Sequence, residues 1–206
     1  MREPISTAER SFHIGKLTFN YNAPFSLTFA IISLIVLIAD QISSGYANMY
    51  VFSAYRFPLS DPLGYLRLIT YVLGHADIWH YISNITLLLV LGPALEERYG
   101  SLRMLLMTVF TALITSLIHI AFFPNLAILG ASGIVYMMIL LSSIGSFKGD
   151  GIPLTLVFVF IVYIGGEIYN AIAVPDNVSQ LAHIIGGICG TAIGLFMNKL
   201  RRRMSS

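Results

Sequence analysis

The sequence predicts an all-α membrane protein with room for about six spanning helices. Hydrophobic residues make up 56% of the 206 residues, charged residues only 11%, and the mean hydropathy is +0.79. An ordinary soluble domain carries about 25% charged residues. Each spanning helix needs about 20 mostly apolar residues to cross roughly 30 Å of hydrocarbon. We therefore expect a six-transmembrane-helix bundle whose main partner is the lipid bilayer.

Charge and apolar runs divide the chain into three parts. Residues 1–22 are expected to form a polar cytoplasmic tail without a cleaved signal peptide, because no apolar stretch follows the basic start closely. Residues 23–200 form the membrane domain, and residues 201–206 form a basic cytoplasmic tail. Within the membrane domain, the apolar runs predict spans at about 24–39, 77–96, 104–123, 132–147, 152–173 and 178–199.

The connection between the first two predicted spans, residues 43–76, is expected to be a long outer loop. It is too polar and too rich in turn-forming residues to cross a membrane. It also holds many tyrosines and phenylalanines, which prefer the interface between lipid and water. We therefore expect this loop to lie partly in the outer interface.

Basic residues indicate the orientation. If both termini are cytoplasmic, that side receives ten lysines and arginines and the outer side only two, Arg56 and Arg67. Cytoplasmic flanks are enriched in such residues, so the pattern predicts a multi-pass protein of the cell (inner) membrane. The cluster of Lys199, Arg201, Arg202 and Arg203 is typical of a cytoplasmic flank, and we expect no nucleic-acid partner.

Ser132 begins the fourth predicted span, between Ala131 and Gly133. A serine among small residues is usually a helix cap or a packing position. A catalytic role for Ser132 must therefore be argued from its position in the membrane. About 16 residues separate Ser132 from the cytoplasmic Lys148, or about 24 Å of helix, which is less than the bilayer thickness. Ser132 should therefore lie below the outer surface, with the preceding connection dipping into the membrane under a protein cover.

Three further polar residues are expected at the same depth. His80 and Asn84 lie one turn apart at the outer end of the second span, and His183 lies at the outer end of the sixth. Ionisable residues inside a membrane are costly, usually pair with one another and commonly mark function. A neutral imidazole can take the proton that makes a serine hydroxyl nucleophilic. We therefore assign Ser132 as a candidate nucleophile and His183 as its general base and acid.

The remaining groups at this depth favour stabilisation of an oxyanion. Gly130 and Gly133 allow the backbone to approach a substrate, and the first amides of the fourth helix point to the site with the helix dipole behind them. His80 and Asn84 can donate side-chain hydrogen bonds to the same oxygen. Apart from Asp77 at the rim, no carboxylate is expected near this depth in these three spans, so the arrangement is a dyad.

These residues, in this order, resemble the rhomboid family of intramembrane serine proteases. The matching pieces are His75-x4-His80-x3-Asn84, Gly130-Ala131-Ser132-Gly133 with Tyr136 one turn on, and Ala182-His183-Ile184-Ile185-Gly186. Glu96-Glu97-Arg98 and Arg67 also fit, although Leu66 stands where the family often has tryptophan. The resemblance covers about residues 24–200, and the ordered set is far more specific than any single motif.

The resemblance implies an all-α, rhomboid-like bundle and a role for each matched residue. Ser132 and His183 would form the catalytic dyad, while His80, Asn84 and the Ser132 amide would form the oxyanion hole. Tyr136 would pack against the catalytic histidine. Small residues at four-residue spacing, Gly186 and Gly190, would let the sixth helix lie tightly against the fourth. Substrates would be transmembrane segments of other proteins, cut near the outer face, and no metal or cofactor is implied.

Structural interpretations are favoured for the other conspicuous polar residues. His75 is expected to be a hydrogen-bonding residue at the rim, and His119 to form an interhelical hydrogen bond rather than bind a ligand. Arg98 and Glu96 are expected to tie down the cytoplasmic turn after the second span. Glu167 in the fifth span has no assigned role: it could snorkel, pair with a neighbour or line a water route.

Two other functions were compared with proteolysis. A non-catalytic relative that binds or escorts membrane proteins would have the same fold, but such relatives lack the serine or the histidine, and both are present here. A small transporter would also have polar residues in its spans, yet it would leave the Gly-Ala-Ser-Gly stretch without a role. Other intramembrane proteases are disfavoured by the lack of a His-Glu-x-x-His motif and of paired membrane aspartates.

Overall fold

The computed structural model describes residues 11–14, 17–145, 152–173 and 179–205. These ranges contain a short hairpin followed by a helical bundle. The strands are β1 (Ser11–Ile14) and β2 (Leu17–Asn20). The helices are α1 (Pro24–Ile42), α2 (Tyr46–Tyr50), α3 (Pro62–Thr70), α4 (Ile78–Tyr99), α5 (Ser101–Phe122), α6 (Ser132–Gly145), α7 (Leu154–Ala173) and α8 (Ser179–Ser205), with a 3-10 turn at Tyr71–Leu73.

Helices occupy all the stretches where the sequence predicts spans. In the described part of the chain, four are long and apolar enough to cross a membrane: α1, α4, α5 and the 180–200 portion of α8. Two further apolar helical stretches, Ser132–Ile144 and Leu154–Gly166, are shorter. The prediction of a helical membrane bundle is therefore confirmed, while the count of six spans stays a prediction.

Helix α6 lies at the centre of the bundle. It contacts α4, α5, α7 and α8. Its side chains are buried all round, with Met137, Met138, Leu140, Leu141 and Ile144 completely inaccessible. A helix that is apolar on every face is typical of a buried position, and here the surrounding helices bury it. It has 14 residues and is about 21 Å long. Ser132 is its first residue, so the elements packed against the first turn form the surroundings of Ser132.

Glycines bring α8 into direct backbone contact with α6. A Cβ added to Gly186 would overlap the carbonyl oxygen of Gly133, and one added to Gly190 would overlap that of Met137. Any larger side chain at these positions would push the two helices apart. The small-residue stripe on α8 therefore fixes the distance between the two helices that carry Ser132 and His183.

The loop over residues 43–76 is held by Arg67, a residue that is only 3% exposed. Its guanidinium donates to Asp61 Oδ2 at 2.6 Å and to the Tyr50 carbonyl at 3.2 Å, and it lies 4.4 Å from the centroid of the Tyr55 ring. Asp61 also caps α3 by accepting from the Leu63 amide. Arg67 thus anchors the loop, although residue 66 is leucine and not the tryptophan that is common in the family that the sequence resembles.

The turn between α4 and α5 is tied to the start of α1 by Glu96. This buried carboxylate accepts from the Phe25 amide at 2.7 Å, from the Ser26 amide at 3.0 Å and hydroxyl at 2.9 Å, and from the Ser101 hydroxyl at 2.6 Å. Arg98 holds the same turn through another partner, the Asn198 amide oxygen on α8 at 3.4 Å. Both residues therefore have the expected structural role, without bonding to each other.

The N-terminal tail contains a hairpin that the sequence analysis did not predict. Strands β1 and β2 pair antiparallel, with Ser11 opposite Asn20 and Ile14 opposite Leu17. The residues alternate between apolar and polar around Gly15 and Lys16, which is the usual sequence signal for a two-residue hairpin turn.

Candidate active site

Ser132 is the first residue of α6 and is half-buried. The carbonyl of Ala131 accepts from the amides of Ile134 and Val135, both at 2.9 Å, and so starts the helix. The first amides of a helix have no acceptor within it, and they lie at the positive end of its dipole. The amides of Ser132 and Gly133 are therefore suited to bind a negatively charged oxygen near the Ser132 hydroxyl.

The connection before Ser132 is covered by the long loop. Ala54 and Ile128 exchange two backbone hydrogen bonds of 2.9 Å each, and the Gly130 amide donates to the Tyr71 carbonyl at 2.9 Å. The Tyr71 hydroxyl in turn donates to the carbonyl of Ala112 on α5 at 3.3 Å. These contacts satisfy backbone groups of the irregular connection and cover it with protein; its depth in the membrane stays a prediction.

His80 and Asn84 face this same connection from α4. A Cβ added to Gly130 would lie 2.8 Å from both Cε1 and Nε2 of His80 and 3.8 Å from Nδ2 of Asn84. Gly130 has a φ of +117°, a conformation that glycine adopts without strain. Only glycine at position 130 lets the backbone pass this close to the imidazole and to the buried Asn84 amide, whose nitrogen has no hydrogen-bond partner among the described residues.

The start of α4 is fixed by Asp77. Its Oδ1 accepts from the amides of Trp79 and His80, each at 2.8 Å. These two bonds, the one from His80 most strongly, hold the pKa of the Asp77 carboxyl below its usual range. An ionised N-cap satisfies two amides that would otherwise lack acceptors, so α4 begins at a defined residue and presents His80 at a defined height.

His183 lies flat against Tyr136. The two rings are stacked with centroids 4.2 Å apart and planes 4° apart. Tyr136 is one turn beyond Ser132 on α6, and a Cβ added to Gly133 would lie 3.2 Å from the carbonyl oxygen of Ala182, the residue before His183. Ser132 and His183 therefore each adjoin a residue of this close contact between α6 and α8.

His75 is completely buried next to the site. Its ring lies edge-on to His80 at 5.1 Å and to Tyr81 at 5.5 Å, and its Nδ1 is 3.2 Å from the Leu73 carbonyl. Burial lowers the pKa of the His75 imidazole to about 4, so the ring is neutral at neutral pH and Nδ1 donates to that carbonyl. This agrees with its interpretation as a structural hydrogen-bonding residue.

His119, also singled out in the sequence, bonds to a group outside this set of residues. His119 is completely buried, and its Nε2 bonds to the Leu126 carbonyl at 3.1 Å, so its partner is the connection after α5 rather than another helix. The side chain of Glu167 on α7 is outside the described residues, and so is the predicted turn around Lys148.

Several groups that hold the site were missed in the sequence. They are the Tyr71 carbonyl that accepts from the Gly130 amide, the Ala54 backbone that pairs with Ile128, and a buried pair, Asp40 and Asn48, at the C-terminal end of α1. Backbone groups leave no mark in a sequence. Asp40 did carry a signal, because a carboxylate at the end of an apolar run must find a donor if it is buried.

Fold and site together define a multi-helix membrane protein with a serine, two histidines and an asparagine gathered at one end of its central helices. Residues 62–200 match the family model of the Rhomboid domain. The chain is 36% identical over 140 residues to Rhomboid-related protein 2 of Mus musculus, covering 62% of this chain and 46% of the relative. This chain belongs to the rhomboid family.

Two other relatives extend the comparison. Rhomboid-related protein 1 of Caenorhabditis elegans is 28% identical over 137 residues, covering 62% of this chain and 38% of the relative. Rhomboid protease GluP of Bacillus subtilis is 27% identical over 203 residues, covering 94% of this chain and 38% of the relative. The chain thus spans less than half the length of each of these three relatives.

Proposed function

We propose that this chain is an intramembrane serine endopeptidase that cleaves transmembrane segments of other membrane proteins near the outer face. Ser132 is the nucleophile and His183 is the general base. The observation that carries the proposal is the stack of His183 on Tyr136, one turn beyond Ser132, where α6 and α8 are in close contact. This stack holds the imidazole of His183, which belongs to α8, against the helix that begins with Ser132.

The reaction follows acyl transfer in two steps. The Ser132 hydroxyl oxygen attacks the scissile carbonyl carbon while its proton passes to His183, giving a tetrahedral oxyanion. The C–N bond then breaks, and His183 returns the proton to the leaving amine, which leaves an acyl-enzyme. A water molecule then attacks the ester carbonyl while His183 takes its proton, which gives a second tetrahedral intermediate. When this intermediate collapses, the C–O bond to Ser132 breaks, His183 returns the proton to the Ser132 oxygen, and the carboxylic acid product is released.

Three groups stabilise the oxyanion. The Ser132 amide lies at the head of α6, and the side chains of His80 and Asn84 donate from α4 on the other side of Gly130. Donors fixed before the reaction act strongly in a water-poor site, and one such donor is commonly worth about 10²–10³-fold in kcat. The buried Asn84 amide nitrogen supports this role: it has no hydrogen-bond partner within the part of the chain that the structure describes, and a donor left unsatisfied throughout would only cost stability.

The topology completes the proposal. Six spans, α1 and α4 to α8, cross the inner membrane with both termini in the cytoplasm, as the distribution of basic residues favours. The site then opens near the outer face beneath the loop of residues 43–76. A substrate helix shields its own peptide bonds, so the best substrates unwind easily there and have a small residue before the cut. No metal or cofactor takes part.

Cleavage of a single-span substrate by purified protein in vesicles tests the function. The wild type should cut, and Ser132→Ala and His183→Ala should lower the rate to background while remaining folded. Ser142→Ala is the matched control, because Ser142 is also on α6 but bonds to its own helix at the Ile139 carbonyl, 2.8 Å away. Equal cleavage by Ser132→Ala and wild type would refute the proposal, and a folded but inactive wild type would favour the non-catalytic escort.

A further inference from the structure

The tautomer of His80 can be inferred from its surroundings. Its Nδ1 accepts a hydrogen bond of 3.3 Å from the Ala76 amide, so Nδ1 carries no proton. In a neutral imidazole the proton is then on Nε2. Nε2 is on the edge of the ring that faces Gly130, in the connection leading to Ser132. The backbone before α4 therefore turns the donor end of His80 toward the candidate site.

The peptide unit between residues 75 and 76 is held from its other end by Asn48. The Nδ2 of Asn48 donates to the His75 carbonyl oxygen at 3.0 Å. The carbonyl of His75 and the N–H of Ala76 belong to one planar trans peptide and point in opposite directions. Because Asn48 fixes where the oxygen points, it also fixes where the N–H points, which is toward His80.

Asn48 is itself held by Asp40 at the end of α1. Asp40 Oδ1 accepts from the Asn48 backbone amide and Oδ2 from its side-chain nitrogen, both at 2.8 Å. The two residues are only 6% and 8% exposed. Gly74 allows this close packing, because a Cβ there would overlap the Phe52 carbonyl oxygen and lie 2.9 Å from Asn48 Oδ1.

We propose that Asn48, fixed by Asp40, is a positioning residue for catalysis that selects the Nε2-protonated tautomer of His80 through the 75–76 peptide. A chain of contacts thus runs from the end of α1, through α2, to the oxyanion donor on α4. This inference rests on the proposed function only for its kinetic consequence. The tautomer itself is a property of the protein without substrate.

The first test is the nitrogen NMR spectrum of histidine-labelled wild-type protein in detergent at neutral pH, with the His80 signals assigned by comparison with His80→Gln. The expected result is an unprotonated Nδ1 and a protonated Nε2. Protonation of Nδ1 in the wild type would overturn the inference whether or not the protein is a protease. Absence of cleavage together with the expected tautomer would contradict the proposed function and leave the positioning of His80 supported.

The second test separates positioning from a structural role. Asn48→Asp removes both side-chain donor bonds, whereas the double variant Asp40→Asn/Asn48→Asp restores the link between positions 40 and 48 but not the link to the His75 carbonyl. We expect the double variant to recover much of the lost thermal stability. It should still give mixed His80 tautomers and a kcat at least about fivefold below wild type with KM little changed, since complete loss of an oxyanion donor costs about 10²-fold.

The control is Ser26→Ala, which destabilises the opposite end of α1, where Ser26 bonds to Glu96. It should lower the melting temperature without changing kcat or the His80 tautomer. Recovery of kcat together with stability in the double variant would show that Asn48 has only a structural role. If Asn48→Asp does not fold, Ala76→Pro, which deletes the donating amide directly, should give the same mixed tautomers and the same fall in kcat, and a single unchanged tautomer would overturn the inference.

Discussion

The imidazole of His183 and the phenol ring of Tyr136 are stacked almost in parallel, 4.2 Å apart, across the contact between α8 and α6. Tyr163 of α7 packs edge-on against the same tyrosine at 5.8 Å. Tyr136 therefore supports His183 on one side and is itself supported by a third helix. An imidazole held in this way has little freedom to rotate.

This stack predicts a difference between two substitutions of Tyr136. Tyr136→Ala removes a contact worth about 0.5–1.5 kcal/mol beyond its buried area, so kcat should fall roughly threefold to tenfold. Tyr136→Phe keeps the ring and should retain most of the activity. Initial cleavage rates at saturating substrate measure the effect. Equal kcat for the alanine variant and the wild type would show that the stack does not orient His183.

Gly130→Ala is expected to inactivate the protein. Its Cβ would lie 2.8 Å from the His80 ring at a backbone φ of +117°, so the ring, the loop or both must move. A displacement of about 1 Å at a catalytic group can cost roughly 10²-fold in rate. The matched control is Gly45→Ala, at a φ of +92° with nothing within 4 Å of the added Cβ.

The control variant Gly45→Ala carries backbone strain of about 1–2 kcal/mol but no collision. It should lower thermal stability slightly and leave the cleavage rate unchanged. If Gly130→Ala behaved like the control, the close approach of the loop to His80 would have no part in catalysis.

Substitution of Glu96 should lower the stability of the protein without removing a catalytic group. In Glu96→Gln, an amide nitrogen replaces one of the two carboxylate oxygens, so the backbone and hydroxyl donors that bonded to that oxygen lose their acceptor. This should lower the free energy of unfolding by about 1–3 kcal/mol. Glu97→Gln, at the neighbouring exposed position, should cost almost nothing. Unfolding in detergent followed by helical circular dichroism measures both. A Glu96→Gln variant as stable as Glu97→Gln would contradict the role of Glu96 in anchoring α1.

His75 predicts how stability depends on pH. Its pKa is about 4 in the folded protein and 6.5 ordinarily, so the unfolded chain binds the proton more readily. Stability should therefore be constant with respect to this group above about pH 6.5 and fall as the pH drops from 6.5 toward 4. His75→Gln should weaken this dependence. The melting temperatures of wild type and His75→Gln at pH 7 and pH 5 measure the effect. If the melting temperature fell equally in both proteins between pH 7 and pH 5, His75 would be excluded as the source of the pH dependence.

The helices could be predicted from the sequence because apolar runs and their breakers are local. The predicted second span, 77–96, and the helix Ile78–Tyr99 differ by only a few residues. Their starts nearly coincide because Asp77 is both the last polar residue before the apolar run and the N-cap of the helix. The short α3 could also have been found, because an aspartate followed by proline, here Asp61 and Pro62, is a common helix start.

The contacts that hold the site could not be predicted in the same way. Glu96 bonds to Ser26, 70 positions away in the chain, and the Gly130 amide bonds to the carbonyl of Tyr71. Neither bond follows from spacing within one helix. Ser132, His183, His80 and Asn84 could be proposed as site residues because polar residues are costly inside apolar helices, whereas the backbone and loop groups that contact them carry no such signal.

The most direct test of the central claim is to treat folded wild-type protein with a serine-directed fluorophosphonate and to locate the adduct by peptide mass spectrometry. Attack by an activated serine should place the phosphonyl group on Ser132, and His183→Ala, which lacks the base, should label at background level. Ser142 and Ser143, on the same helix, should remain unmodified. A folded wild-type protein that carries no adduct on Ser132, or carries it on another serine, would contradict the claim.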